Sequence, residues 1–154
     1  MEIAYLADHM IFADDVATWI YTAFIKDVRP GVSYEQVLSK VKACHKSQLP
    51  ICLIAMVDGK CVGTVSIVQN DLQCRGYTPW LAALYVDQAF RDNKIGEQLV
   101  ARVKDIVKDL GYREIYLRTE HASDYYRKLG WEFIETCEDQ FNLKPNVFKI
   151  TLDL

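Results

Sequence analysis

The stretch Leu84–Leu99, LYVDQAFRDNKIGEQL, decides how this chain is read. An apolar, strand-like run from Leu81 to Val86 gives way there to a polar turn carrying Arg91, Asp92, Asn93, Lys94 and Gly96. The turn leads directly into a periodic helix that begins with Ile95, Gly96 and Glu97. The first backbone N–H groups of a helix have no internal partners, and the helix dipole adds roughly half a positive charge at that end. A strand feeding a glycine-containing turn at a helix start is therefore an anion site, and Arg91 and Lys94 add full charges to it. The predicted ligand carries phosphate. A plain core helix with a polar entry loop is the competing reading.

The helix follows from spacing. Ile95, Leu99, Val103, Ile106, Val107 and Leu110 recur at intervals of three and four and share one face, while Glu97, Arg102, Lys104, Asp105, Lys108 and Asp109 fall largely on the other. Gly111 is the expected stop, since glycine takes the left-handed conformation past a helix end without steric cost.

The rest of the chain alternates strands and helices. Ile3–Leu6 reads as a short strand and Val16–Ile25 as a helix, broken by Pro30-Gly31. Ser33 with Gln36 three residues on is a capping-box pattern for a helix running to about Cys44. Ile51–Val57, the turn Asp58-Gly59 and Cys61–Gln69 read as a hairpin, followed by a polar loop over 70–79. Strand 81–86, the long helix, strand Glu114–Leu117, a short helix ending at Gly130 and two final strands complete the order. Hairpin strands followed by a β-α-β-α-β run predict an α/β fold with a mixed sheet and helices on both faces.

Composition narrows the class. The chain has 154 residues, 51% of them apolar, with net charge −3, which predicts one globular domain over 1–154. The longest purely apolar run is Ile51–Val57, so no membrane span is expected, and MEIAYLADHM has no basic leader region. A mildly acidic balance argues against nucleic acid as a partner and suits a cationic substrate. The five cysteines are scattered without a C-x-x-C pair, and the three histidines are equally dispersed, so neither a metal site nor a disulfide framework is expected. Reduced thiols and a cytoplasmic location are the expectation. Cys52 and Cys61 read as core filler; Cys74, beside Arg75 in the polar loop, is the one thiol whose setting hints at reactivity.

Two segments together carry a family resemblance. Leu84-Tyr85-Val86 followed by Arg91-x-x-x-x-Gly96, and further on Ala122-x-x-Tyr125-Tyr126-Arg127-Lys128-Leu129-Gly130-Trp131, resemble the cofactor segments of the GNAT superfamily of N-acetyltransferases. The resemblance covers about residues 51–137 well and the N-terminal helices loosely. It implies a central, mostly antiparallel sheet with splayed middle strands. It also implies acetyl-CoA as co-substrate, no metal, direct acetyl transfer to a small-molecule or peptide amine in a ternary complex, and in many members a homodimer. On this resemblance Leu84, Tyr85 and Val86 form the strand that holds the pantetheine arm. Arg91, Asp92, Asn93, Lys94, Ile95, Gly96 and Glu97 form the pyrophosphate turn, and Thr119 hydrogen-bonds the arm. Tyr126, four residues before Gly130, supplies the proton to the leaving thiolate. Two positions depart from the family's usual residues: Lys94 stands where glycine is usual, and Thr119 where asparagine is frequent.

The chemistry agrees with these residues. Backbone N–H groups on the strand can polarise a thioester carbonyl, and an ordinary phenol near pKa 10 can protonate a thiolate at neutral pH. Tyr125 points about 100° away from Tyr126 on a helix, so the two cannot serve one atom. Packing into the core is the alternative role for Tyr126. No acid stands at Trp80–Ala83, where many members carry the base; Asp71, Glu120 and His121 are within reach by topology and none is assigned. In the fold implied by the resemblance, the segments lining the acceptor groove hold Trp19, Tyr21, Phe24, Asp27, Tyr34, Asp71, Tyr77 and Trp80, with ordinary core packing as the alternative reading of these side chains. A small metabolite, a polyamine, an aminoglycoside-type drug and a peptide amine stay open as acceptors. A catalytically silent acyl-CoA-binding sensor or interaction module on the same fold is the alternative function, and a phosphate-binding regulator a third.

Overall fold

Ile51–Val57 is apolar at every position because it is buried on both faces of a sheet, a pattern that otherwise marks parallel strands. In the computed structural model, which describes residues 1–153, Ile51, Leu53 and Ala55 enter one core and Cys52, Ile54 and Met56 enter another on the opposite face. The sheet has seven strands: β1 (Glu2–Tyr5), β2 (Ile51–Val57), β3 (Lys60–Val68), β4 (Trp80–Val86), β5 (Glu114–Thr119), β6 (Glu132–Thr136) and β7 (Asn146–Thr151). Their order is β1-β2-β3-β4-β5-β7-β6, and every neighbouring pair is antiparallel except β4–β5.

Helices α1 (Ala13–Ile20) and α2 (Tyr34–Lys42) cover one face, with Val16, Ala17, Val37 and Val41 against Ile54 and Met56. Ser33 caps α2 reciprocally: its Oγ accepts from Gln36 N at 3.1 Å and Gln36 Oε1 accepts from Ser33 N at 2.8 Å. The expected helix over Val16–Ile25 begins earlier, at Ala13, and widens over Tyr21–Ile25 into a π-helical turn. Such wide turns often occur beside functional sites, and this one borders the cavity described below.

Helix α3 (Ile95–Asp109) and the short α4 (Ser123–Lys128) cover the other face. The α3 stripe is buried as expected through Val107, but Leu110 is 37% exposed and Val100 is buried instead. The helix ends at Asp109, so Leu110 follows the change of direction at Gly111 (φ 95°) rather than the helical face. α3 crosses β3 at Gly63, where a Cβ would lie 3.3 Å from Leu99 Cδ1 and 3.2 Å from Tyr85 O. Cys52 and Cys61 are buried in the α1/α2 core, whereas Cys74 is exposed. No helix among the described residues is long and apolar enough to cross a membrane.

Candidate active site

The sheet opens in its middle. Strands β4 and β5 are paired only at Trp80↔Tyr116, after which they part. A bulge in β4 opposite Thr64–Ser66 sharpens the divergence, and Ala83 sits there at φ 53°, a conformation that costs a side-chain-bearing residue about 1–2 kcal/mol. Asp87 N donates to Val62 O at 2.8 Å, so by the two-residue alternation Leu84 and Val86 turn their main-chain groups toward the opening. Arg91 Nε donates to Val86 O at 3.0 Å, tying the turn to the strand end.

That turn is held in shape by its own side chains. Asp87 Oδ1 accepts from Ala89 N, and Asn93 Nδ2 donates to Phe90 O and Arg91 O at 3.1 and 3.2 Å. Asp92 and Lys94 both take left-handed backbone (φ 67° and 61°), so lysine occupies a conformation that suits glycine. The first helical bond runs from Gln98 N to Lys94 O, which leaves the N–H groups of Ile95, Gly96 and Glu97 without helical partners. Arg91, Asp92, Asn93, Lys94 and Glu97 are exposed, while the Ile95 side chain is in the core. A Cβ on Gly96 would stand 2.9 Å from Tyr125 Oη, because α4 reaches across to the start of α3 at this point.

On α4 the two tyrosines separate as helical geometry requires. Tyr125 lies half in solvent with its hydroxyl beside Gly96. Tyr126 is 8% exposed, edge-on to Trp131 at 6.1 Å, and borders the opening with Leu84 and Thr119. Burial, followed by the neighbouring Tyr125, pushes the Tyr126 phenol well above its ordinary pKa, so it holds its proton throughout the neutral range. Trp131 N donates to Tyr126 O at 3.0 Å across the left-handed Gly130 (φ 94°), which fixes the end of α4. Thr119 Oγ1 accepts from Ala122 N at 2.9 Å; its own O–H is left to donate.

A cavity of about 1290 Å³ runs through the opening, from the π-helical turn and α2 on one face to Tyr126 on the other. Asp71, Arg29, Arg118, Glu120 and His121 border it. Asn70 Oδ1 accepts from Leu72 N at 2.9 Å and Leu72 is fully buried, so Asp71 is pinned between two fixed neighbours. Desolvation raises the Asp71 carboxyl to about 6, against the opposing pull of Arg118 and Arg29. Arg118 Nη2 donates to Asp139 Oδ2 at 2.6 Å and to Glu120 Oε1 at 2.8 Å, so Glu120 is held in an ion pair. No cluster of metal-ligating side chains occurs among the described residues.

The family-wide sequence pattern of the acetyltransferase (GNAT) family matches residues 14–131. The chain belongs to the GNAT acetyltransferase family. Acetyl-CoA is accordingly its co-substrate. Among solved structures, an aminoglycoside 6'-N-acetyltransferase complexed with coenzyme A aligns at a TM-score of 0.79 and 18% identity, covering 100% of this chain and 98% of that one. The aminoglycoside 6'-N-acetyltransferase from Enterococcus faecium aligns at 0.76 and 18% identity, covering 100% and 98%. A putative acetyltransferase from Salmonella typhimurium, solved with acetyl-CoA, aligns at 0.69 and 20% identity, covering 100% and 95%. A comparison with curated proteins finds no match.

The residues present fit this co-substrate: main-chain N–H groups of Leu84 and Val86 turned to the opening for a peptide-like arm, and free helix-start N–H groups for a pyrophosphate. The Tyr85 side chain lies apart from these groups, stacked on Trp19 at 5.6 Å with the Arg91 guanidinium 5.3 Å from its ring.

Between the two readings of the groove-segment side chains, the structure shows packing for most of them. Of the eight residues only Phe24 and Asp71 border the cavity. Trp19 is taken up by Tyr85, Tyr34 donates to Asp14 Oδ1 at 3.1 Å and packs edge-on to Tyr21, and Asp27 lies off the cavity. Tyr77 stacks on Tyr116 at 4.7 Å and donates to Glu135 Oε2, and Trp80 is fully buried. Ordinary aromatic packing accounts for them. Sequence reasoning overlooked Arg29, Arg118 and Ala83. Arg29 precedes Pro30-Gly31 and reads as a solvated turn residue, and nothing in Ala82-Ala83 signals a bulge.

Proposed function

We propose that this chain transfers the acetyl group of acetyl-CoA directly to the amine of an acceptor held in the cavity. The observation that carries the reading is the cavity itself, which joins the parted β4 strand and Tyr126 on one side to Asp71 on the other. Main-chain N–H groups of Leu84 and Val86 hold the extended pantetheine arm and polarise the thioester carbonyl as negative charge develops on its oxygen. Helix-start groups at Ile95, Gly96 and Glu97, with Arg91, Asn93 and Lys94, hold the pyrophosphate. Asp71 accepts the proton that the acceptor ammonium must lose before its nitrogen attacks; a carboxyl raised to about 6 is ionised at neutral pH and still basic enough for the task. As the C–N bond forms and the C–S bond breaks, Tyr126 O–H protonates the departing thiolate. Thr119 donates its hydroxyl to the arm.

The test is thiol release from acetyl-CoA across a panel of amines, run with the wild-type protein and Tyr126→Phe. Transfer predicts amine-dependent release that falls steeply in the variant while acetyl-CoA binding is kept. Tight binding with no amine-dependent release would favour the sensor reading, and an unchanged rate in the variant would remove Tyr126 from the mechanism.

A further inference from the structure

Two arginines border the acceptor end of the cavity, and they are treated differently. Arg118 is claimed by protein carboxylates, Asp139 at 2.6 Å and Glu120 at 2.8 Å. Asp139 is itself saturated, since its Oδ1 also accepts from Phe141 N and Leu143 N at 2.8 and 2.9 Å. The loop that Asp139 organises presents Phe141, and the Arg29 guanidinium lies over that ring at 4.9 Å. Arg29 N donates to Ile25 O at 2.8 Å, which anchors its backbone at the end of the π-helical turn. No carboxylate among the described residues pairs with Arg29, and its Nε is shielded from solvent without a hydrogen-bond partner. A shielded guanidinium donor left unmatched is costly, and an oxyanion is the group that satisfies it.

Asp71 is the counterpart. Both arginines act on its carboxyl electrostatically, yet neither forms an ion pair with it; Arg118 reaches only its main-chain oxygen, at 3.4 Å. One wall of the cavity thus presents an unpaired carboxylate and an unpaired guanidinium, with the neighbouring charges already matched to each other. We infer that the acceptor is a zwitterionic amine, whose ammonium meets Asp71 and whose carboxylate or other oxyanion meets Arg29. This inference rests on the transfer reading above and narrows its acceptor. It separates this chain from enzymes whose acceptors carry several ammonium groups and no oxyanion.

The experiment compares acceptors that differ only in the oxyanion: L-amino acids against their amides, and O-phosphoethanolamine against ethanolamine, with spermidine as a polycation. Thiol release from acetyl-CoA gives kcat/KM, and the melting temperature of the protein saturated with CoA gives acceptor binding independently. The amine of an amino-acid amide is the less basic one, so chemistry alone favours the amide. A preference for the acid therefore reports binding. We expect kcat/KM at least about tenfold higher for the best oxyanion-bearing acceptor than for its neutral partner. Arg29→Met should erase that ratio through the KM of the oxyanion-bearing acceptor, while the loss of its charge beside Asp71 acts on both partners alike. The amino acid and phosphoethanolamine arms identify which oxyanion fits.

Equal use of acid and amide, or a preference for spermidine, overturns the inference while leaving transfer standing. Melting shifts by the acids alone, lost in Arg29→Met and unaccompanied by thiol release, would overturn transfer and keep the anion site. Neither shift nor release would overturn both. The acid-to-amide ratio needs only wild-type protein, so a misfolded variant does not decide the matter.

Discussion

The two ends of the β4–β5 opening are built in opposite ways. The proposed co-substrate end comes from one continuous stretch, Leu84–Glu97, completed by one short helix. The proposed acceptor end is assembled from Arg29, Asp71, Arg118 and Asp139, which lie far apart along the chain. The first is mostly backbone held in a special shape, with left-handed residues at Asp92 and Lys94 and helix-start N–H groups facing outward. The second is mostly side-chain charge. A backbone device accepts the same ligand whatever the acceptor, whereas a set of side-chain charges can be exchanged to change the acceptor.

The largest effect expected from breaking the backbone end is at Gly96. Gly96→Glu places bulk and negative charge at the proposed pyrophosphate site, and its Cβ displaces the Tyr125 hydroxyl 2.9 Å away. Acetyl-CoA affinity should fall by more than about 100-fold, roughly 3 kcal/mol, by calorimetry. The far-ultraviolet circular dichroism spectrum should stay unchanged, since a tyrosine tip can move aside. Between the ends, at the proposed proton donor, Tyr126→Phe should lower kcat by about 100-fold with acetyl-CoA affinity held. A parallel loss of affinity would instead mark Tyr126 as a binding residue.

At the charged end, Asp71→Asn should lower kcat/KM by a comparable factor, on the order of 100-fold at pH 7. The wild-type rate should rise with pH through about 6 as Asp71 loses its proton, and the variant should lack that limb. The same shift has a stability consequence of opposite sense. A carboxyl raised in the folded state stabilises the fold at pH below its unfolded value near 3.8, and that contribution fades as pH rises through about 6. Asp71→Asn should therefore remove a destabilising contribution at pH 8 and raise the melting temperature there.

The smallest effect belongs to Lys94. Lys94→Gly relieves a left-handed side-chain-bearing residue at about 1–2 kcal/mol and returns part of that through the freer unfolded chain. A net rise in melting temperature of about 1–3 °C is expected, with weaker acetyl-CoA binding from the lost charge. A fall in melting temperature would show that the lysine side chain stabilises the turn by contacts that outweigh its strain.

Legibility in the sequence follows the same division. The strand-turn-helix over Leu84–Asp109 could be read because periodicity, glycine placement and charge are all local there, and the Ser33–Gln36 cap was readable for the same reason. Separating Tyr125 from Tyr126 needed only the helical angle. The bulge at Ala83 was not readable, because it is imposed by strands parting around an opening rather than by any feature of alanine. Arg29 was missed because its partner, Phe141, lies on a loop that Asp139 folds into place from the far end of the chain. For six aromatics and acids of the groove segments the choice between groove and core was not readable, because side-chain identity says nothing about which way a strand or helix turns them. Leu110 shows the limit of periodicity at a helix end: the pattern continued one residue past the backbone that gave it meaning.

The helix-start assignment is tested most directly by a calorimetric titration of the protein with acetyl-CoA, with CoA and ATP for comparison and Gly96→Glu in parallel. We expect a dissociation constant on the order of micromolar for acetyl-CoA, clearly weaker binding of ATP, and no measurable binding to the variant. Absence of acetyl-CoA binding to the wild-type protein, or equal binding to Gly96→Glu, would contradict that assignment.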